Sequence, residues 1–155
     1  MINSPEILRL IERNSLFHGI PRELLEPIFR IGKLVTLMPG EKLLSPGVIN
    51  EYVFIIISGT LSVQNTPSLS VKPIAKLTSG ECIGEMSVII CSLVAAYVIA
   101  TTSCELFAID YFSFWSLIDS SNEAERNILF IMVRRIRHSN EVMADRLIHF
   151  VNSRQ

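Results

Sequence analysis

The sequence predicts an α+β fold dominated by β structure: an antiparallel β-roll (double-stranded β-helix, or jelly roll), flanked by N-terminal helices and one long C-terminal helix. Three observations predict it. Residues 33–110 break into short β-type runs separated by Gly and Pro at close intervals, as strands folding back at turn corners require. Residues 1–32 carry helix-start signals and apolar positions at helical spacing, a helical entrance. Residues 111–155 hold capping residues and then an apolar repeat in steps of three and four. At 155 residues the chain suits one domain with a proper core.

Composition narrows the function classes. Hydrophobic residues make up 49% and charged residues 19%, so the chain is ordered. A net charge of −1 gives no overall pull toward nucleic acid or anionic lipid. The start Met1-Ile2-Asn3-Ser4-Pro5-Glu6 lacks the basic and apolar regions of a signal peptide. Cys82, Cys91 and Cys104 match neither a zinc spacing nor a disulfide framework, which fits a reducing cytoplasm and small buried side chains. No charge occurs from Met86 to Cys104, nearly a membrane-spanning length, but Ser87, Ser92, Tyr97, Thr101 and Thr102 interrupt it and its second half is β-rich. A membrane span is not expected.

Ser4-Pro5-Glu6 supplies a cap, a first-turn proline and an acid beside the positive end of a helix carrying Ile7, Leu8, Leu10 and Ile11. A turn over Leu16–Pro21 leads to a second helix through Leu24, Leu25, Ile28 and Phe29, with Pro27 placed to kink or split it. Leu34–Leu37, Lys42–Leu44 and Tyr52–Ile57 read as strands, the last buried on both faces. Met38–Glu41, Ser45–Gly47 and Ser58-Gly59 are the intervening turns. Leu61–Gln64 alternates apolar and polar, Asn65–Ser70 forms a hairpin tip, and Ile74–Leu77 returns. Ala96–Thr101 and Glu105–Asp110 close the roll, Tyr111–Ile118 is a short aromatic helix, and Asp119–Asn122 caps a long helix carried to about Val151.

The chemistry concentrates at Ile83-Gly84-Glu85-Met86-Ser87 and its continuation into Ala95-Ala96-Tyr97-Val98. With Pro39-Gly40-Glu41, Pro46-Gly47, Tyr52–Gly59 and Gly80, this stretch resembles the phosphate-binding cassette and the turn order of the cyclic-nucleotide-binding domain family, over roughly residues 34–100. The resemblance implies the β-roll, with the cassette at 83–98, and a regulatory rather than enzymatic role. It implies that Glu85 accepts a ribose hydroxyl. Gly84, Met86 and Ser87 would open a short helix shaping the cradle for an anionic cyclic phosphate, with Ala95 and Ala96 on the far side. Cyclic AMP or cyclic GMP is the ligand it implies. Where the family places Pro-Arg, however, this chain has Leu93-Val94. Loss of a desolvated charge-assisted contact costs about 2–5 kcal/mol, which argues against tight binding of either nucleotide.

On the last helix, Leu129, Val133, Ile136, Asn140, Met143, Leu147 and Phe150 fall in coiled-coil steps, with Asn140 at an a-type position that favours a parallel pair in register. The resemblance agrees, since the family's activators dimerise through this helix. The expectation is a homodimer, or an unidentified protein partner; the competing reading packs this stripe on the chain's own roll. Arg134, Arg135 and Asn140 are open alternatives for a residue covering the ligand.

The resemblance also implies what is missing. Family transcription factors continue into a DNA-binding helix-turn-helix, whereas this sequence stops at Gln155, so direct DNA binding is not expected. A metal-dependent cupin-like enzyme would need inward histidines, but His18, His138 and His149 lie in no predicted strand. Two readings remain. Either the domain keeps a ligand pocket and transmits occupancy to the long helix, or Leu93, Val94 and Tyr97 fill the site and the domain is a ligand-free dimerisation scaffold.

Overall fold

A computed structural model describes residues 4–154; Met1–Asn3 and Gln155, inside the first and last predicted segments, lie outside the described residues. Helix α1 (Pro5–Glu12) starts where its signals place it, with the Ser4 hydroxyl accepting from the Ile7 N–H at 3.5 Å. A single 3-10 turn, Ser15–Phe17, is capped by Asn14, whose Oδ1 accepts from the Leu16 N–H at 2.8 Å. Helix α2 (Arg22–Ile31) runs unbroken through Pro27. Pro27 and Glu23, four residues earlier, are exposed, so water can serve the Glu23 carbonyl that loses its partner.

Eight strands follow: β1 (Lys33–Leu37), β2 (Lys42–Leu44), β3 (Tyr52–Ser58), β4 (Leu61–Gln64), β5 (Ala75–Leu77), β6 (Cys82–Ile83), β7 (Tyr97–Ala100) and β8 (Cys104–Asp110). They form two four-stranded antiparallel sheets, ordered β1-β8-β3-β6 and β2-β7-β4-β5. The antiparallel roll expected from the sequence is thus present. Strand β6 is the element the sequence does not announce: two residues pairing with Phe54 and Ile55, too short to carry a period.

The uninterrupted apolar run of β3 has a simple cause. Val53, Ile55 and Ile57 face a core beneath the helices, built with Ile11, Phe17, Phe29 and Phe114. Phe54 and Ile56 face a second core between the sheets, built with Leu44, Leu61, Leu77 and Val98. Both faces of the strand are covered, so alternation disappears. Strand β8 divides likewise, with Phe107 and Ile109 on one side and Leu106 and Ala108 on the other.

A short helix, α3 (Glu85–Ile90), sits between β6 and β7. Helix α4 (Tyr111–Ser120) is capped by Asp110, which accepts from the Ser113 N–H at 3.0 Å and hydroxyl at 2.7 Å. Ser121 caps the 31-residue helix α5 (Asn122–Asn152), accepting from the Ala124 N–H at 3.2 Å. Ala124, Ile128 and Ile131 bury this helix against the helical core. The Asn127 amide donates to the Leu16 and His18 carbonyls, both at 2.8 Å, and ties α5 to the 3-10 turn.

Candidate functional site

The turn into α3 is fixed by sterics. Gly84 has φ +92°, and a Cβ there would lie 2.5 Å from the Tyr52 carbonyl oxygen. Only glycine avoids both the left-handed penalty and that clash. Asn50 holds the turn from the other side. Its amide nitrogen reaches the Tyr52 carbonyl at 2.8 Å, the Ser87 hydroxyl at 3.1 Å and the Gly84 carbonyl at 3.2 Å, and its Oδ1 accepts from the Tyr52 N–H at 3.1 Å. Ser87 in turn donates its hydroxyl to the Gly84 carbonyl at 3.1 Å. Both side chains are buried, so this network sets the position of α3 in a low-dielectric setting.

Glu85 is 0% exposed. Its Oε1 lies 2.6 Å from Nη1 of Arg135 on α5, a close charge contact without the alignment of a hydrogen bond. A second Arg135 nitrogen donates to the Cys82 carbonyl, and the Cys82 thiol sits 3.9 Å from Glu85 Oε2. Burial pushes the Glu85 carboxyl above its ordinary range while Arg135 pulls it back. Burial, reinforced by Glu85, also pushes the Cys82 thiol up, so this cysteine is an unreactive wall residue. The carboxylate is therefore neither solvated nor vacant: α5 supplies its counter-charge.

Beside this pair lies a cavity of about 430 Å³. Gly84, Glu85, Met86, Ser87, Val94, Ala95 and Ala96 all line it, so the seven residues singled out in the sequence share one wall. Ile131, Arg134, Arg135 and His138 of α5 form the facing wall. Val94 is buried at 7% exposure and packs with the second core. Its N–H donates to the Val48 carbonyl at 3.0 Å, so the clamp position offers neither a side-chain nor a free backbone donor. Leu93 also lines the cavity and is 56% exposed, whereas Tyr97 is not among the lining residues.

Of the three residues left open as covers for the site, Arg134 and Arg135 face the cavity and Asn140 does not. A signal for Arg135 was present: Ala124, Ile128, Ile131 and Arg135 continue one stripe at steps of four, three and four. Asn50 and Lys76 also contribute, and an isolated Asn or Lys in a loop or short strand carries no pattern that marks it. The seam residues Leu129, Val133, Ile136, Met143, Leu147 and Phe150 are 52–63% exposed, and Asn140 is exposed with them. This stripe does not pack on the chain's own roll. Among the described residues no helix is long and apolar enough to cross a membrane, and no three His, Cys, Asp or Glu side chains gather as a metal site.

A sequence profile for the cyclic nucleotide-binding domain matches residues 34–121. No curated protein matches the chain. Among solved structures, the chain is similar to a cyclic nucleotide-binding domain from Methylobacillus flagellatus, with TM-score 0.72 and 22% identity over 91% of this chain and 82% of the other. The catabolite activator protein of Thermus thermophilus gives TM-score 0.69 and 23% identity over 90% of this chain. The sensor domain of the transcriptional regulator DNR from Pseudomonas aeruginosa gives 0.69 and 16%, covering 82% of this chain and 91% of that one. At such identities the likeness shows the fold alone. The chain spans only 63% of the Thermus protein's length.

Proposed function

Because the chain belongs to the cyclic nucleotide-binding domain family, we propose that it is a regulatory sensor domain, not an enzyme, that reads a small ligand in the cavity and acts through α5 on a second copy or a protein partner. One observation carries this reading: a single cavity has the cassette as one wall and α5 as the other, and the Glu85–Arg135 pair joins the two walls. A ligand touching both walls has different affinity for different positions of α5, the condition for any ligand to act as a switch. A ligand hydroxyl reaching Glu85 would share the carboxylate with Arg135. The three free cysteines suit a cytoplasmic setting.

Cyclic AMP and cyclic GMP are weak ligands in this reading, because Val94 stands where a guanidinium would meet the phosphate. A ligand-free scaffold is the second reading, favoured by the fact that Arg135 already neutralises Glu85. Calorimetric titration with both nucleotides, on the native chain and on Val94→Arg with its fold checked by circular dichroism, tests this. The expected result is no micromolar binding by the native chain and binding gained by the variant, since the missing contact is worth about 2–5 kcal/mol. Micromolar binding by the native chain would overturn the weak-ligand claim. Silence from a folded variant would favour the scaffold.

A further inference from the structure

The charges around the cavity are distributed unlike those of a site for a deep-lying phosphate. The buried part of the lining is largely apolar, with Val94, Leu77, Ile83, Leu44 and Val98, and its polar members Glu85 and Ser87 are already partnered within the protein. An anion seated against these apolar side chains loses water and gains no donor from them, a cost of several kcal/mol for a lone charge. Positive charge lies on exposed members of the lining. Lys76 on β5 and Arg134 on α5 both line the cavity and are exposed, and neither has a carboxylate within ion-pair distance among the described residues. His138 is beside them, with its Nε2 3.3 Å from the Ile74 carbonyl oxygen. Arg135 is already committed to Glu85 and the Cys82 carbonyl. Glu81, the one other acid in the lining, accepts from the Thr78 N–H at 2.7 Å through its own carboxylate. The cavity thus has an apolar floor and a cationic rim.

We infer that the cavity takes an amphipathic organic acid, with its carboxylate at the Lys76 and Arg134 rim and its apolar body against Val94. Its size, about 430 Å³, lies inside the range of small-molecule pockets, about 300–1,000 Å³. Replacing an arginine with valine at the floor then has a positive meaning: it converts the anion end of the site into a seat for hydrocarbon. Part of the charge needed for an anion is supplied by Arg134 of α5, so head-group binding acts directly on the helix that carries the seam. This rests on the sensor reading above and specifies its ligand class.

Octanoate, 1-octanol and cyclic AMP are suitable probes. Each is titrated into the full chain by calorimetry, with methyl-resolved NMR to locate binding. Octanoate is expected to saturate one site per chain, shifting Ile83 and Val94 methyls while leaving Leu147 on the exposed stripe unmoved. The double variant Lys76→Gln/Arg134→Gln is expected to weaken octanoate about tenfold, the worth of one charge-assisted contact, and to leave 1-octanol unchanged. Equal binding of octanoate and 1-octanol, or no effect of the double variant, would overturn the head-group assignment. Cyclic AMP shifting the cavity methyls where octanoate does not would overturn this inference and leave the sensor reading standing. If no probe shifts them, both are overturned.

Discussion

Asn50 has the largest mechanical role of any side chain around the cavity without being a candidate ligand group. Its amide serves acceptors on three residues of two different segments, those on Gly84 and Ser87 in a buried setting. Asn50→Ala would take its donor from all three acceptors, with the Gly84 carbonyl still served by the Ser87 hydroxyl. The expected loss is about 1–3 kcal/mol, read by urea denaturation, with Ser87 and Gly84 amides losing hydrogen-exchange protection first. A loss below a few tenths of a kcal/mol would mean that solvent replaces the network. Asn50 also shows where single-sequence reading ends. Gly84 and Glu85 were legible because a left-handed turn and a charge after it leave a residue-type imprint. The partner that holds them is 34 positions earlier in sequence, and nothing local marks an Asn that bonds across such a distance. Val94 was legible as a missing charge, but its second consequence, the N–H given to Val48, depends on the path of a loop.

At the scale of elements, α5 is one helix with two faces and two fates. Its first half buries Ala124, Ile128 and Ile131, and Arg135 extends that face to the cassette. Its opposite stripe stays exposed over its whole length, from Leu129 to Phe150. Periodicity found the second stripe because it is long and regular; the first is interrupted by a charge and ends after three turns. Leaving six large apolar side chains on one stripe in water is costly, and covering each fully is worth about 1.5–3 kcal/mol. A parallel pair through this stripe would place Asn140 against its copy, fixing register. Sedimentation equilibrium at micromolar concentration is expected to give twice the chain mass for the native protein. Ile136→Glu is expected to give the mass of a single chain with unchanged helical circular dichroism, because Ile136 is 60% exposed and contributes nothing to the fold's own core. A native protein that stays monomeric at high concentration would assign the stripe to a different protein.

At the scale of the molecule, two cores meet along the sheet β1-β8-β3-β6, and the Glu85–Arg135 pair stands at their border. Ile83 and Val94 of the cassette belong with the inter-sheet core, while α5 and, through Val88, the cassette helix α3 belong with the helical core. The ion pair therefore ties α5 to the cassette helix where the helical core meets the inter-sheet core. The sign can be worked out. Burial raises the folded pKa of Glu85 above its unfolded value, with Arg135 opposing. Stability tied to that raised pKa is fully present below the unfolded value, about 4.3 for Glu, and is lost as pH rises through the folded value. Arg135→Met removes the opposing charge, so the folded pKa climbs further and the fold must either hold a proton or bury a bare carboxylate. Breaking such a buried pair costs about 3–5 kcal/mol. The variant's deficit relative to the native chain is therefore expected to approach about 3 kcal/mol at the alkaline end and to shrink as pH falls and Glu85 takes up its proton. Adding Glu85→Gln to the same variant removes the titrating group, and the deficit should then be smaller and flat with pH. Urea unfolding of the three proteins across pH 5–8 reads this directly. A deficit of Arg135→Met that does not change with pH would mean that Glu85 finds water or another partner when Arg135 leaves, and that α5 is not held to the cassette helix through this charge.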